Sequence, residues 1–438
     1  MSSSACAPPR TWQTARYSSR PTARRSSPAI CWLSAAAGSS SPASKGARMA
    51  VLDEAKALRD YVTGLRRDLH RHPELGWQET RTQGIICQQL GAMGIPYEKV
   101  CGTGVIATLR GAQDGPAVGL RADMDALPIT EQGTDSGYCS ETPGVMHACG
   151  HDCHVAMLLG AARILKAHEN ELRGTVTLIF QPAEEVIEGA RAMCGLPQLA
   201  GLNRIFAAHV WIDLPTGTFS IEEGPRMASA DNIELRVTGK SAHGASPHKG
   251  ADAIVAACGV VGALQTVVSR LNDPLEPVVV TIGTIEGGAS SNIIADEVRM
   301  TGTVRSFSPA VRDRTERLLE QVAGTAAQAY GAGCKFTYRR CTPATINEPA
   351  STAVARRAAV GLFGEGALSH LEKTTGGEDF AWFLERIPGC YVFVGARDEQ
   401  AGKCWPHHHG CFDIDEEALT GGTALLAQLG IDAGKDME

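Results

Sequence analysis

No uninterrupted apolar stretch of this sequence approaches the roughly 20 residues that span a bilayer. The longest candidates, such as residues 251–264, are broken by Gly and Ala and read as buried helix. A surplus of base is missing too: 41 Lys and Arg face 48 Asp and Glu, which argues against a nucleic-acid-binding surface. Nor do the fourteen cysteines fall into the spacing of a small secreted scaffold, so most are expected as buried, reduced thiols. Internal repeats are lacking. Acid is absent from residues 1–48, which carry Arg10, Arg16, Arg20, Arg24, Arg25, Lys45 and Arg48. That Ser-, Ala-, Pro- and Arg-rich composition is one of an organellar transit peptide. Alternatively the reading frame is over-extended, Met49 is the start, and the protein is cytoplasmic. Either way the segment has too little apolar surface to join a core.

What remains is long enough for two domains. A helical stripe runs through Leu52, Ala55, Leu58, Val62, Leu65 and Leu69 and stops before His72-Pro73. A second helix is expected over 79–93, then strands near 104–109, 117–121, 176–180 and 205–211, with a helix over 154–168 among them. Strands alternating with helices predict an α/β sheet with helices on both faces. From Asp231 the order becomes strand, helix (251–271), strand (278–285), strand (298–305), helix (308–330), strand (335–340), the ferredoxin-like α+β pattern. After Pro343 the α/β pattern returns, with a strand at 391–394 and a helix at 416–429. The expected architecture is a catalytic domain from 49–229 and 343–438, split by an inserted domain at 230–342.

Four segments carry chemistry. In Met146-His147-Ala148-Cys149-Gly150-His151-Asp152-Cys153-His154, Cys149 and His151 flank a glycine in a loop that opens a helix, where a thiol is expected to ionise more readily. A buried Cys beside a surface His would look the same in isolation. So would half of a zinc finger using Cys149 and Cys153, but no second Cys or His pair follows at short range. Gln181-Pro182-Ala183-Glu184-Glu185 sets two carboxylates directly after an apolar strand, a costly placement unless a cation compensates; one acid can then ligate while the other moves protons. His209 closes the next strand, at the end where open α/β sheets place ligands. His407, His408 and His409 offer imidazoles near the C-terminus. Together these supply the N, S and O donors that Zn²⁺ or Mn²⁺ accept.

With those residues the chain resembles the aminoacylase and carboxypeptidase superfamily of co-catalytic metallohydrolases, in the branch of hippurate hydrolase, N-acetyldiaminopimelate deacetylase and the plant auxin–amino-acid conjugate hydrolases. Further ordered matches are Leu69-His70-Arg71-His72-Pro73-Glu74-Leu75, Arg121-Ala122-Asp123-Met124-Asp125-Ala126-Leu127-Pro128, His243-Gly244, Asn292, Gly302-Thr303-Val304-Arg305 and Gly377-Glu378-Asp379-Phe380. The resemblance implies an amidohydrolase cleaving N-acyl amino acids with two divalent ions. Cys149 would be shared between them, His151, Glu185, His209 and His408 would complete the sites, and Glu184 would be the general base. His408 is taken from the histidine triplet by its distance to Phe412. His147, Cys153 and His154 are left to packing. Asp123 is expected to support a ligand, although Arg121 stands where the superfamily has His. His243 would reach the active site of a homodimer partner, stabilising the oxyanion, and Asn292 and Arg305 would hold the substrate carboxylate. The alternative is a catalytically silent relative that binds metal and an amide ligand.

Overall fold

The computed structural model describes residues 42–132 and 137–435, with side chains from residue 50 onward. Residues 1–41, and what was expected of them, lie outside the described residues; the first helix, Pro42–Ala57, starts inside the segment set apart above. The expected single helix over 52–69 is two, Pro42–Ala57 and Arg59–Arg71, because Leu58 leaves helical geometry (φ −91°, ψ 2°). Val62 and Leu69 still face the core, as the stripe predicted.

A seven-stranded mixed sheet forms the larger layer. Its centre is parallel: Arg173–Gln181, Gln113–Asp123, Arg204–Pro215 and Gly389–Arg397 lie side by side in that order. Antiparallel strands flank both edges. Successive side chains of a strand enter different cores: Val105, Ala107 and Leu109 pack in one cluster, Ile106 in another. Both faces are therefore buried, which is why these strands read as nearly continuous apolar runs. Helices His151–Ala167, Pro349–Phe363 and Glu417–Ala433 line the first cluster. The Pro349 helix has no counterpart in the sequence reading, although Pro349 at its first turn and Glu348, which accepts from Ala350 N and Ser351 N, mark its start.

The second sheet is antiparallel, ordered Val278–Gly287, Glu297–Ser306, Ser229–Thr238, Gly333–Thr342. Helices Ala253–Thr266 and Pro309–Gln328 cover one face, over Ile233, Leu235, Val237, Met300 and Val304. This is the expected ferredoxin-like arrangement. The helix expected to be buried at 251–264 is not buried all round. It is long and apolar enough to cross a membrane when counted through Leu271, but only 28% of that window is buried, and Ile254 and Val255 are 43% and 50% exposed.

Candidate metal centre

The chemistry gathers where the parallel strands end. Asp123 and Gln181 close two neighbouring strands in register; His209, expected to close the next strand, stands in its middle instead, because that strand, Arg204–Pro215, continues well past it. Between them the 146–151 loop enters its helix through Gly150, which is left-handed (φ 90°); a Cβ there would lie 2.4 Å from a Val210 methyl, so only glycine lets the loop approach this strand. Cys149 and His151 are thereby set on either side of the helix start.

Five expected ligands come together in overlapping groups, each with its donor atoms within 4.8 Å: Cys149 with His151 and His209, and Cys149 with Glu185 and His408. Cys149 belongs to both. Its Sγ is 3.5 Å from His209 Nε2, and Glu185 lies 3.8 Å from His151 Nε2 and 3.6 Å from His408 Nε2. His209 Nδ1 donates to the Val210 carbonyl at 2.6 Å, which leaves Nε2 as a lone pair facing the thiol. Burial, reinforced by His154, holds this imidazole well below its usual pKa and hence neutral.

The histidine triplet separates cleanly. His408 has positive φ (62°), its N–H donates to the Ala148 carbonyl, and its ring faces Glu185. His407 donates through Nε2 to Val210 O and stacks on Trp211, while His409 stacks on Trp405 and accepts from Cys411 N. His154 is saturated: Nδ1 hydrogen-bonds Asp123 at 2.5 Å and Nε2 accepts from Val210 N. Cys153 points into the core beside Asp152 and joins none of the groups, so the zinc-finger alternative finds no second thiol here.

The electrostatics ask for cations. Asp123, Asp125, Glu184, Glu378 and Asp379 are buried and Glu185 nearly so. Arg121 answers Asp123, Glu378 and Asp379, while Asp125 accepts the backbone N–H groups of Glu184 and Glu185. No guanidinium or ammonium among the described residues reaches Glu184 or Glu185. Burial, then Glu378, Glu185 and Asp379, push Glu184 well above the usual carboxylate range; burial pushes Glu185 up to about 7, against the pull of His151. Both ring nitrogens of His151 and Oε1 of Glu185 are buried without a hydrogen bond. Buried, unsatisfied donor atoms of this kind beside a thiol fit a divalent ion.

One expectation is corrected. The helix start does not ease ionisation of Cys149: burial, together with Glu185, pushes the thiol well up, so the thiolate depends on an added positive charge. Asp125, which the sequence marks only as one residue of the Arg121–Pro128 match, holds the turn carrying both glutamates and approaches His151 Nδ1 at 3.4 Å. Glu378 and Asp379, grouped with Glu184, were likewise given no role, and Asp379 N donates to Glu184 Oε1 at 3.3 Å.

The remaining expected residues lie on the second sheet and its connections, apart from the ligand groups. His243 is exposed, pairs across a two-residue strand with Ile293, and accepts from Ala245 N through Nδ1. Asn292 sits beside it, its carbonyl accepting from Gly244 N and its Oδ1 from Ser290. Arg305 is half-buried and its side chain has no hydrogen bond or ion pair among the described residues; its Nη1 is 3.5 Å from where a Cβ on Gly377 would lie, beside Glu378.

The model of peptidase family M20/M25/M40 matches residues 119–431. An N-acetylcysteine deacetylase of Bacillus subtilis is 40% identical over 381 residues, 86% of this chain and 97% of the relative. The IAA-amino acid hydrolase ILR1-like 4 of Arabidopsis thaliana is 37% identical over 375 residues, 84% of this chain and 85% of the relative. Among solved structures, the B. subtilis YXEP protein, described as a dinuclear metal binding peptidase, superposes with a TM-score of 0.78 at 38% identity, covering 87% of this chain and 100% of that one.

Proposed function

This chain belongs to peptidase family M20/M25/M40, and from that membership we propose that it is a metal-dependent amidohydrolase that cleaves N-acyl amino acids. The observation that carries the reading is the pair of ligand groups sharing Cys149, set against the buried carboxylate of Glu184. Cys149, His151 and His209 would hold one divalent ion; Cys149, Glu185 and His408 would hold the other, as Zn²⁺ or Mn²⁺. Bound there, the ions supply Lewis acidity and a water acidified toward neutrality. Glu184, with its raised proton affinity, takes a proton from water and returns it to the leaving amine. Asp379 N–H steadies one of its oxygens. Arg305, whose side chain has no partner among the described residues, and Asn292 hold the substrate carboxylate. The relatives' printed substrates, N-acetylcysteine and IAA-amino acids, are both acyl groups on an amino acid, which supports this class.

The protein works as a homodimer through the second sheet. Ile254 and Val255 on the half-bare helix and Val279 and Ile285 on the edge strand expose apolar surface at 40–53%, and among the described residues the strand Val278–Gly287 pairs on one side only. His243 then reaches the partner's site and donates to the oxyanion. The test is a panel of N-acetyl, N-benzoyl and N-indoleacetyl amino acids, assayed for amine release after loading with Mn²⁺ or Zn²⁺. Release abolished by chelation supports the reading. Tight metal binding with no turnover on any member would leave a silent binding protein.

A further inference from the structure

A cavity of about 490 Å³ is lined by the residues that directly follow Glu184 and Glu185 in the chain, and the proposed reaction leaves it without an occupant. One wall continues directly from the glutamate pair, as Val186 and Ile187, and is joined by Trp77. Trp77 and Ile187 both have positive φ (67° and 61°), a conformation that non-glycine residues adopt at a cost and that recurs in ligand clamps. Gly76 lets Trp77 close on this turn: a Cβ there would lie 3.2 Å from Ala183 Cα and 3.3 Å from a Val186 methyl. Trp77, Val186 and Ile187 thus give the cavity an apolar surface on which a ring can rest.

The rest of the lining is rich in cations. Arg339, Arg340 and Arg191 belong to it. Arg340 is committed to Asp313 and Glu316, but Arg339 and Arg191 make no ion pair among the described residues. Arg191 only lies over the Trp382 ring, 5.4 Å from its centroid. The opposing acid in the cavity is Glu188, which accepts from Trp77 Nε1 at 2.9 Å.

The second sheet fixes where Arg339 stands relative to Arg305. Arg305 pairs with Ala230 and Arg339 with Asn232, on opposite sides of the strand Ser229–Thr238. Residues paired across strands share a face, and 230 and 232 share one also. Both arginines therefore rise from the face that the two helices leave bare. Two strand spacings of ~4.8 Å and two residues of ~3.4 Å along the strand put their Cα atoms about 12 Å apart. That separation suits two carboxylates on either side of an aromatic amide.

We propose that this cavity is the acyl subsite and that it takes a planar acyl group ending in a carboxylate, so that preferred substrates are anionic at both ends. The inference rests on the amidohydrolase reading: Arg305 holds the amino-acid carboxylate, the amide lies at the metal centre, the ring rests on Trp77, Val186 and Ile187, and Arg191 and Arg339 meet the distal anion.

The test compares N-benzoyl-L-alanine with N-(para-carboxybenzoyl)-L-alanine on the Mn²⁺-loaded full chain, with N-benzoyl-L-glutamate as the control whose extra carboxylate is on the other half. The carboxybenzoyl substrate should have a kcat/KM about tenfold higher than the benzoyl one, the effect of a charge-assisted contact, carried mainly in KM. Arg191→Ala and Arg339→Ala should each pull that ratio toward one, Arg339→Lys should retain part of it, and Arg339→Glu should invert it. A wild-type ratio at or below one overturns the subsite whatever the variants do. A gain for the glutamate substrate alone overturns its assignment to the acyl half, and a ratio untouched in folded Arg191 and Arg339 variants overturns its location. If metal-loaded protein cleaves none of the three, the amidohydrolase reading itself falls and the subsite with it.

Discussion

Arg66 is a fully buried cation whose removal tests how the two halves of the candidate metal centre are held together. Its Nε donates to Asp152 at 2.9 Å, Nη2 to Asp413 at 2.9 Å and Nη1 to Glu416 at 3.2 Å, and its guanidinium lies over Tyr138. Asp152 follows His151 at the helix start, and Asp413 and Glu416 follow His408, so one side chain ties together the two segments that carry these proposed ligands. In Arg66→Met the stem is replaced but buried carboxylates lose their cation, a defect that costs about 3–5 kcal/mol. The lower end is expected, because Asp152 keeps His70 and Asp413 keeps Tyr138 and Lys403. The assay is denaturant unfolding of wild type and variant after metal has been stripped from both, at several pH values. Burial pushes Asp413 up, but Arg66 and Lys403 outweigh it and bring it down to about 2. A depressed carboxylate contributes stability that is present above its unfolded pKa, ~3.9, and lost as pH falls through the folded value, here about 2 kcal/mol between roughly pH 4 and 2. Arg66→Met should lose part of that acid dependence, the remainder being held by Lys403. A stability change under about 1 kcal/mol at neutral pH, or an unchanged acid profile, refutes the reasoning.

Glu184→Gln should keep metal content and lower kcat by roughly 10²–10⁴-fold, whereas Glu185→Ala should release metal; elemental analysis beside turnover separates them, and matching behaviour would undo the division of labour. Cys149→Ala should lose metal and activity together, while Cys153→Ala, whose thiol faces Asp152 in the core, should keep both; equal metal loss at the two positions would restore the zinc-finger reading. Mixing inactive His243→Ala chains with inactive Glu184→Gln chains should recover activity in mixed dimers, since one site then has both normal residues. No recovery from mixed dimers shown to form would confine His243 to its own turn.

Period and punctuation made the two sheets legible. The strands around 106, 120, 178 and 207 are apolar on both faces, and that continuity is itself the mark of a covered sheet. The alternation of Ile233, Leu235 and Val237 marked the switch to a sheet covered on one face. What escaped was set by tertiary contact. The Pro349 helix has weak periodicity but a strong N-terminal signal in Glu348 and Pro349. The helix from Ala253 is apolar nearly all round, so its composition alone could not say which face is left bare. The break at Leu58 is a backbone departure inside an unbroken apolar stripe, invisible to a pattern of side chains.

The site was legible where chemistry forces residue type and obscure where residues act on one another. Thiol, imidazole and paired carboxylates at strand ends announce a metal because few other things offset their burial. Asp125 carried no such signal: an acid two residues after Asp123 reads as part of a strand end, and only the fold shows it receiving the N–H groups of Glu184 and Glu185. Glu378 and Asp379 lie almost two hundred residues from Glu184 in sequence, yet they raise its proton affinity and one of them hydrogen-bonds it. Local sequence also misjudged Cys149. A helix start favours a thiolate, but that preference falls off within a turn, whereas burial beside Glu185 acts at contact distance and outweighs it. The charge that would make Cys149 a ligand must therefore come from the ion it would bind, and the acids around it would be served by the same ion.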